Sequence, residues 1–289
     1  MADVIILGYG PAGISAATYT TRAGLNTIVI GRDGGSLLKA EKIENYYGFS
    51  TPVSGEQLVK DGIEQAARLG AQIVSDEVLG ITYDGQFTVQ CKHAAYRSPA
   101  VILATGSSRT APKIEGLQRL EGHGVSYCAV CDAFFYRGRS VAVLGSGDYA
   151  LHEAMELLPV VGSVTLLTNG KEPSVELPSN LTVEKREIVS FQGENVLSSV
   201  QFKDGSSKEF SGVFIAMGVA GSSDLARKLG AQTKGSSIVV DEGMQSSIPG
   251  LYAAGDCTGG MLQVSKAVYD GAKAASSVIK QLRLASKKV

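Results

Sequence analysis

Cys128 and Cys131 stand two residues apart in "YCAVCDAFF", residues 127–135. Such a pair can ligate a metal, cycle between dithiol and disulfide, or pack as two small apolar residues. A structural zinc site normally takes about four ligands. Here the other cysteines, Cys91 and Cys257, are isolated, and His93, His123 and His152 show no ligand spacing. Thiol–disulfide exchange is the reading that uses the pair by itself, because a Cys128–Cys131 disulfide closes a small ring open to an external dithiol. Attack requires a thiolate, and a helix starting near "CDAFF" lowers the thiol pKa below its usual value of roughly 8.5. Asp132 follows at once, as a proton donor or acceptor for the pair or, more plainly, as a helix cap.

Two glycine-turn units frame this motif. "DVIILGYGPAGISAATYTTRAGLNTIVIG" reads as strand, glycine turn, helix and strand. Val4–Leu7 is a continuous apolar run, as in a parallel strand buried on both faces. Gly8, Gly10 and Gly13 follow at GxGxxG spacing: a tight bend, a close backbone approach to a pyrophosphate, and a helix packed against its strand. Free N–H groups at the helix start, around Pro11 and Ala12, then face the phosphates. The acidic residue that usually closes the second strand is not evident, since the strand ends Gly31–Arg32 with Asp33 next. "SVAVLGSGDYALHEAMELLPVVGSVTLLTNG" repeats the grammar with Gly145, Gly147 and Ala150. A strand ending at Ala104–Thr105–Gly106 lies between the two units, and a late strand delivers Gly255–Asp256 to a turn. The expected fold is α/β: two Rossmann-like, three-layer dinucleotide-binding domains, the second inserted into the first. The first would span 1–110 and 238–289, and the insert, carrying the CxxC, 111–237.

The chain has 289 residues, a formal net charge of -1 and four cysteines. That balance offers no global attraction to nucleic acid or to an anionic membrane. No apolar run of about 18 residues appears, so no transmembrane helix is expected. "MADVIILGYG" enters a strand directly and has no secretory pattern. The expectation is a cytoplasmic protein.

These motifs resemble those of the low-molecular-weight thioredoxin reductases. The stretches are "GYGPAGISAA", "IENYYGF", "ILATGS", "CAVCDAFFYRG", "VAVLGSGDYA" and "GLYAAGDC", spread over nearly the whole chain. The resemblance implies FAD in the first domain, with its pyrophosphate on Gly8, Gly10, Pro11, Ala12 and Gly13. It implies further contacts from Gly31, from the turn of Gly35, Ser36 and Leu37, and from Asn45, Ala104, Thr105 and Gly106. Gly255 and Asp256 would hold the ribityl–pyrophosphate region, and Gln263 and Val264 the flavin ring. It implies thioredoxin as acceptor and a homodimer, with no resident metal. By the same resemblance Cys131 faces the flavin and Cys128 attacks the partner's disulfide.

One departure from that family bears on the electron donor. Where its pyridine-nucleotide-dependent members carry a basic run for the extra phosphate of NADPH, this chain reads "LLTNGKEPS", with only Lys171 cationic. Asp148 and Tyr149 add negative charge and bulk at the second glycine turn. A subgroup with similar losses takes electrons from ferredoxin. A ferredoxin at about −400 mV and a thioredoxin at about −270 mV differ by ~6 kcal/mol for two electrons. Ferredoxin is therefore the expected donor, docking on a basic face of Arg109, Lys113, Arg137 and Arg139. The alternatives are an NADPH- or NADH-dependent thioredoxin reductase, or a flavoprotein disulfide oxidoreductase or oxidase with another partner.

Overall fold

The structure is a computed structural model, and it describes residues 2–106, 112–218 and 220–286. The chain divides into two compact units, Met1–Ser108 with Gly221–Val289, and Arg109–Ala220.

The first unit is built on a five-stranded parallel sheet. Its order is Leu251–Ala253, Val101–Leu103, Val4–Leu7, Thr27–Gly31 and Gln72–Ser75. Every residue of the four strands from Leu251–Ala253 to Thr27–Gly31 is buried. This explains their unbroken runs of Val, Ile and Leu, since both faces are covered. The covering helices are Pro11–Arg22, Gly55–Arg68 and Val264–Ser286. The first and last pack closely: a Cβ at Gly271 would overlap the Ala12 carbonyl. A three-stranded antiparallel sheet, Val78–Tyr83, Phe87–Cys91 and Ala95–Ser98, joins the strand Gln72–Ser75 to the strand Val101–Leu103.

The second unit repeats the plan. Its parallel sheet runs Thr182–Glu184, Ser163–Leu167, Ser140–Leu144, Gly212–Ile215 and Val125–Ser126. The helix Asp148–Leu157 follows its glycine turn, and an antiparallel sheet of Ile188–Gln192, Ser199–Phe202 and Ser207–Glu209 extends it. The return crossover falls at Ala220/Gly221, earlier than the boundary at 237/238 read from sequence. The reason is local: the helix Ser222–Lys228 and the hairpin Thr233–Lys234/Ser237–Ile238 pack with the first unit, where Ser222 bonds Thr105. Among the described residues, no helix is long and apolar enough to cross a membrane.

Candidate functional site

In the first unit, Gly8, Gly31, Ala104 and Gly255 leave the carboxyl ends of four adjacent strands. The pairings Leu7 with Ile30, Leu7 with Leu103, and Ala253 with Leu103 hold those ends level. This is where an open parallel sheet receives a ligand. Gly8 has φ 101°, and its N–H donates to the Ile30 carbonyl at 2.6 Å. A Cβ on Gly13 would overlap the Gly8 carbonyl oxygen, whereas a Cβ on Gly10 would meet nothing within 4 Å. So Gly8 and Gly13 are glycine for packing, and Gly10 is glycine beside open space. The helix that follows has Gly10 as N-cap with no side-chain cap, Pro11 at its start and no acid in its first turn. Its N-terminal field is available to an anion. A pyrophosphate fits this cradle.

The other expected cofactor residues lie in the same unit. Gly35 donates its N–H to Asp33 Oδ1 at 3.0 Å and opens the short 3-10 turn Gly35–Lys39, which holds Ser36 and Leu37. Asn45 Nδ2 donates to Gln263 Oε1 at 2.8 Å, joining two loops 218 residues apart in sequence. Val264 begins the long helix. Thr105 is tied to Ser222: its N–H donates at 3.1 Å, the hydroxyls lie 2.7 Å apart, and the Ser222 N–H returns a bond at 2.9 Å. Gly106, also at positive φ, follows it. Asp256 sits on the turn Gly255–Thr258, half buried; burial, seconded by Asp270, raises its pKa against the opposing pull of Lys266.

That turn is clamped from behind. Lys266 Nζ donates to the Gly255 carbonyl, to Thr258 Oγ1 and to Asp270 Oδ2, each at 2.8 Å. Asp270 also accepts the Gly255 N–H at 3.2 Å. The ammonium thereby uses all three of its donors. Sequence reading missed both residues; their spacing on one helix face was a signal, but their common partner at Gly255 was not legible.

In the second unit the cysteines form the disulfide Cys128–Cys131, with Cα atoms 5.3 Å apart. The helix here is only Ala129–Asp132, starting before "CDAFF", with Cys128 as its N-cap. The Cys131 N–H donates to Cys128 Sγ at 3.2 Å. Cys128 is 5 % exposed, whereas Cys131 is exposed. Asp132 does not cap through its side chain; its Oδ2 accepts from Ser126 Oγ at 2.6 Å, and Ser126 Oγ also accepts the Cys128 N–H at 3.1 Å. Behind the pair, Glu153 Oε2 accepts the Ala129 N–H at 3.0 Å. Sequence reading missed Ser126 and Glu153. Glu153 had a signal, as a carboxylate in phase with the buried Tyr149, Ala150, Ala154 and Leu157.

The remaining thiols do not compete. Burial pushes Cys91 up to about 12 and Cys257 up to about 11. Among the described residues no cluster of His, Cys, Asp or Glu could hold a metal ion.

The second glycine turn is filled differently from the first. Ser174 folds back onto it, its N–H donating to the Ser146 carbonyl at 2.8 Å and its hydroxyl at 3.1 Å. The loop between is held at every step: Thr168 Oγ1 to the Lys171 carbonyl at 2.6 Å, the Gly170 N–H to the Lys185 carbonyl at 2.8 Å, and Asn169 Oδ1 from the Ile188 N–H at 2.7 Å. Glu172 pairs with Lys185 at 2.6 Å. Asp148 lies in the helix's first turn as expected, but Tyr149 is 1 % exposed, so its bulk is inside the unit and not over the turn.

The chain matches the family model described as pyridine nucleotide-disulphide oxidoreductase over residues 2–271. It is 36% identical to a thioredoxin reductase of Aquifex aeolicus (strain VF5), covering 97% of this chain and 93% of that one. Among solved structures it is similar to the atypical thioredoxin reductase TRi from Desulfovibrio vulgaris Hildenborough, with TM-score 0.90, 42% identity, and 97% and 99% of the two chains covered. It is also similar to a ferredoxin-flavin thioredoxin reductase from Clostridium acetobutylicum, with TM-score 0.72, 30% identity and 98% of each chain covered. The chain belongs to the pyridine nucleotide-disulphide oxidoreductase family, as an FAD-binding flavoprotein disulfide oxidoreductase of the thioredoxin reductase type.

Proposed function

We propose that this chain reduces thioredoxin through Cys128 and Cys131 with electrons that do not come from a pyridine nucleotide, and that reduced ferredoxin is the donor. The observation that carries the reading is the Ser174–Ser146 tie, which puts the chain's own backbone where a dinucleotide phosphate would approach Gly147. The loop offers no bidentate cation for a 2′-phosphate, because Lys171 is the only basic residue in it and Lys185 is engaged by Glu172. The likeness to the Clostridium protein supports ferredoxin in particular. Lys113, Arg137 and Arg139 are exposed, as a basic docking face requires; Arg109 lies outside the described residues.

FAD would be held at Gly8–Gly13, Asp256, Gln263 and their neighbours and, once reduced by two electrons from the donor, would supply the pair that opens the disulfide. The chain's own part is then thiol exchange. The Cys128 thiolate attacks thioredoxin's disulfide, releasing one thioredoxin thiolate and forming a mixed disulfide, while Cys131 lies on the flavin side. Cys131 attacks Cys128 Sγ, releases the second thioredoxin thiolate and restores the Cys128–Cys131 bond. Asp132, fixed by Ser126, handles the proton. Val130, Phe134 and Phe135, 57%, 72% and 70% exposed, give the acceptor an apolar landing beside the sulfurs. A homodimer belongs to the same reading, carried over from the resemblance to the thioredoxin reductases. A dithiol of this kind suits a reducing cytoplasm.

A second reading, in which NADPH or NADH is the donor, is favoured by the retained Gly145–Gly147–Ala150 turn. Anaerobic mixing decides between them. Flavin absorbance should resist excess NADPH and NADH and bleach fully with chemically reduced ferredoxin. Fast bleaching by either nucleotide would reject the proposal.

A further inference from the structure

A buried carboxylate stands behind the redox pair. Glu153 is 2 % exposed, and its Oε2 accepts the N–H of Ala129, the residue joined to Cys128. Cys128, at 5 % exposure, has little water to solvate a charge. The elements packed against the Ala129–Asp132 helix are the turn Ala133–Tyr136 and the helix Asp148–Leu157. Their ionisable groups, with Asp132 of the cysteine helix itself, are Tyr136, Asp148, Tyr149, His152, Glu153 and Glu156. Asp132 is engaged by Ser126, and Glu156 is exposed. Glu153 combines full burial with a direct bond to the first N–H after Cys128.

We infer that Glu153 is a positioning residue that sets the poise of the Cys128–Cys131 couple. Its hydrogen bond fixes the first turn of the cysteine helix. Its charge opposes a thiolate on Cys128, and it consumes the N-terminal field that would otherwise stabilise that thiolate. A reduced form whose thiolate is disfavoured is a stronger reductant, because stabilising the thiolate is what makes a dithiol couple oxidising. The chain thus keeps its pair ready to pass electrons onward. The inference rests on the exchange chemistry of the pair and not on the identity of the donor, so it survives if ferredoxin is wrong.

The test uses the anaerobic holoenzyme equilibrated in glutathione buffers at pH 8, acid-quenched, alkylated and counted by mass. Glu153→Gln keeps an acceptor for the Ala129 N–H and removes the charge. It should shift the equilibrium toward the dithiol by about tenfold, ~30 mV for two electrons. Glu153→Asp retains the charge and should stay within about twofold of the parent. An unchanged equilibrium in Glu153→Gln, or a shift toward the disulfide, would overturn the proposal and leave Glu153 as a helix cap. Should Glu153→Gln fail to fold, Glu153→Ala, which also removes the charge, takes its place: a shift toward the dithiol supports the charge, and an unchanged equilibrium refutes it.

Discussion

Replacing Lys266 by Met tests whether the clamp behind the Gly255–Thr258 turn holds the cofactor residues in place. The substitution keeps the side chain's length and removes its charge. Three acceptors lose their donor at once: the Gly255 carbonyl, Thr258 Oγ1 and the 4 % exposed carboxylate of Asp270. Removing one partner of a buried pair costs about 3–5 kcal/mol when the other is stranded. Asp270 keeps the Gly255 N–H and a longer contact at 3.4 Å to Thr258, and Lys266 is 19% exposed. The lower end, about 3 kcal/mol, is therefore expected. The assay is urea denaturation followed by flavin fluorescence, which reports on the first unit, with FAD affinity measured beside it. The double substitution K266M/D270L should cost less than K266M alone, since it strands neither charge. A Lys266→Met protein within about 0.5 kcal/mol of the parent, in the range of a neutral surface change, would refute the reasoning. So would a double variant whose cost is the sum of the singles.

The last two glycines of the first turn, Gly10 and Gly13, should separate packing from ligand binding. Gly13→Ala forces a Cβ onto the Gly8 carbonyl and to 3.3 Å from Ile6 Cγ2, and should cost about 3 kcal/mol in the flavin-free protein. Gly10→Ala meets nothing within 4 Å, so it should leave flavin-free stability within about 0.5 kcal/mol while weakening FAD binding; thermal shifts with and without FAD check both. Asp256 predicts a pH signature. Its folded pKa is raised, chiefly by burial, so ionisation costs more in the folded state. Flavin-free parent should therefore lose melting temperature relative to Asp256→Asn as pH rises from the unfolded value near ~4 through the raised folded value; a gap moving the other way would contradict this. Phe134→Ala with Phe135→Ala should raise KM for thioredoxin and leave the melting temperature unchanged, since both rings are exposed; a lost Tm with an unchanged KM would count against the landing surface.

The doubly repeated strand–glycine–helix pattern was legible because each buried parallel strand must be apolar throughout and each tight turn needs its glycines. The α/β class and the paired sheets follow directly from that rule. The cysteine pair was legible as chemistry, but its geometry was not: nothing in "CAVC" says that Cys128 is buried and Cys131 exposed. The end of the insertion was misread because "KGSSIVVDEG" has the composition of a crossover, while the actual return is fixed by Ser222 bonding Thr105, 117 residues away. Glu153 was half legible, a charge in the buried phase of an amphipathic helix. Ser174 was not, since its partner lies 28 residues upstream and is a backbone carbonyl.

The fold-back of Ser174 also bears on how such a chain can change. With Ser174 on the Ser146 carbonyl and Asn169, Gly170 and Thr168 each bonded inward, the turn has acquired a resident of its own. Point gains of Arg at 169 or 170 would meet a loop already committed, and would first break bonds before they could grip a phosphate. On the reading in which no nucleotide binds there, the step is a ratchet: each inward bond makes a reversal more costly, and the second Rossmann unit serves as a frame for the cysteines.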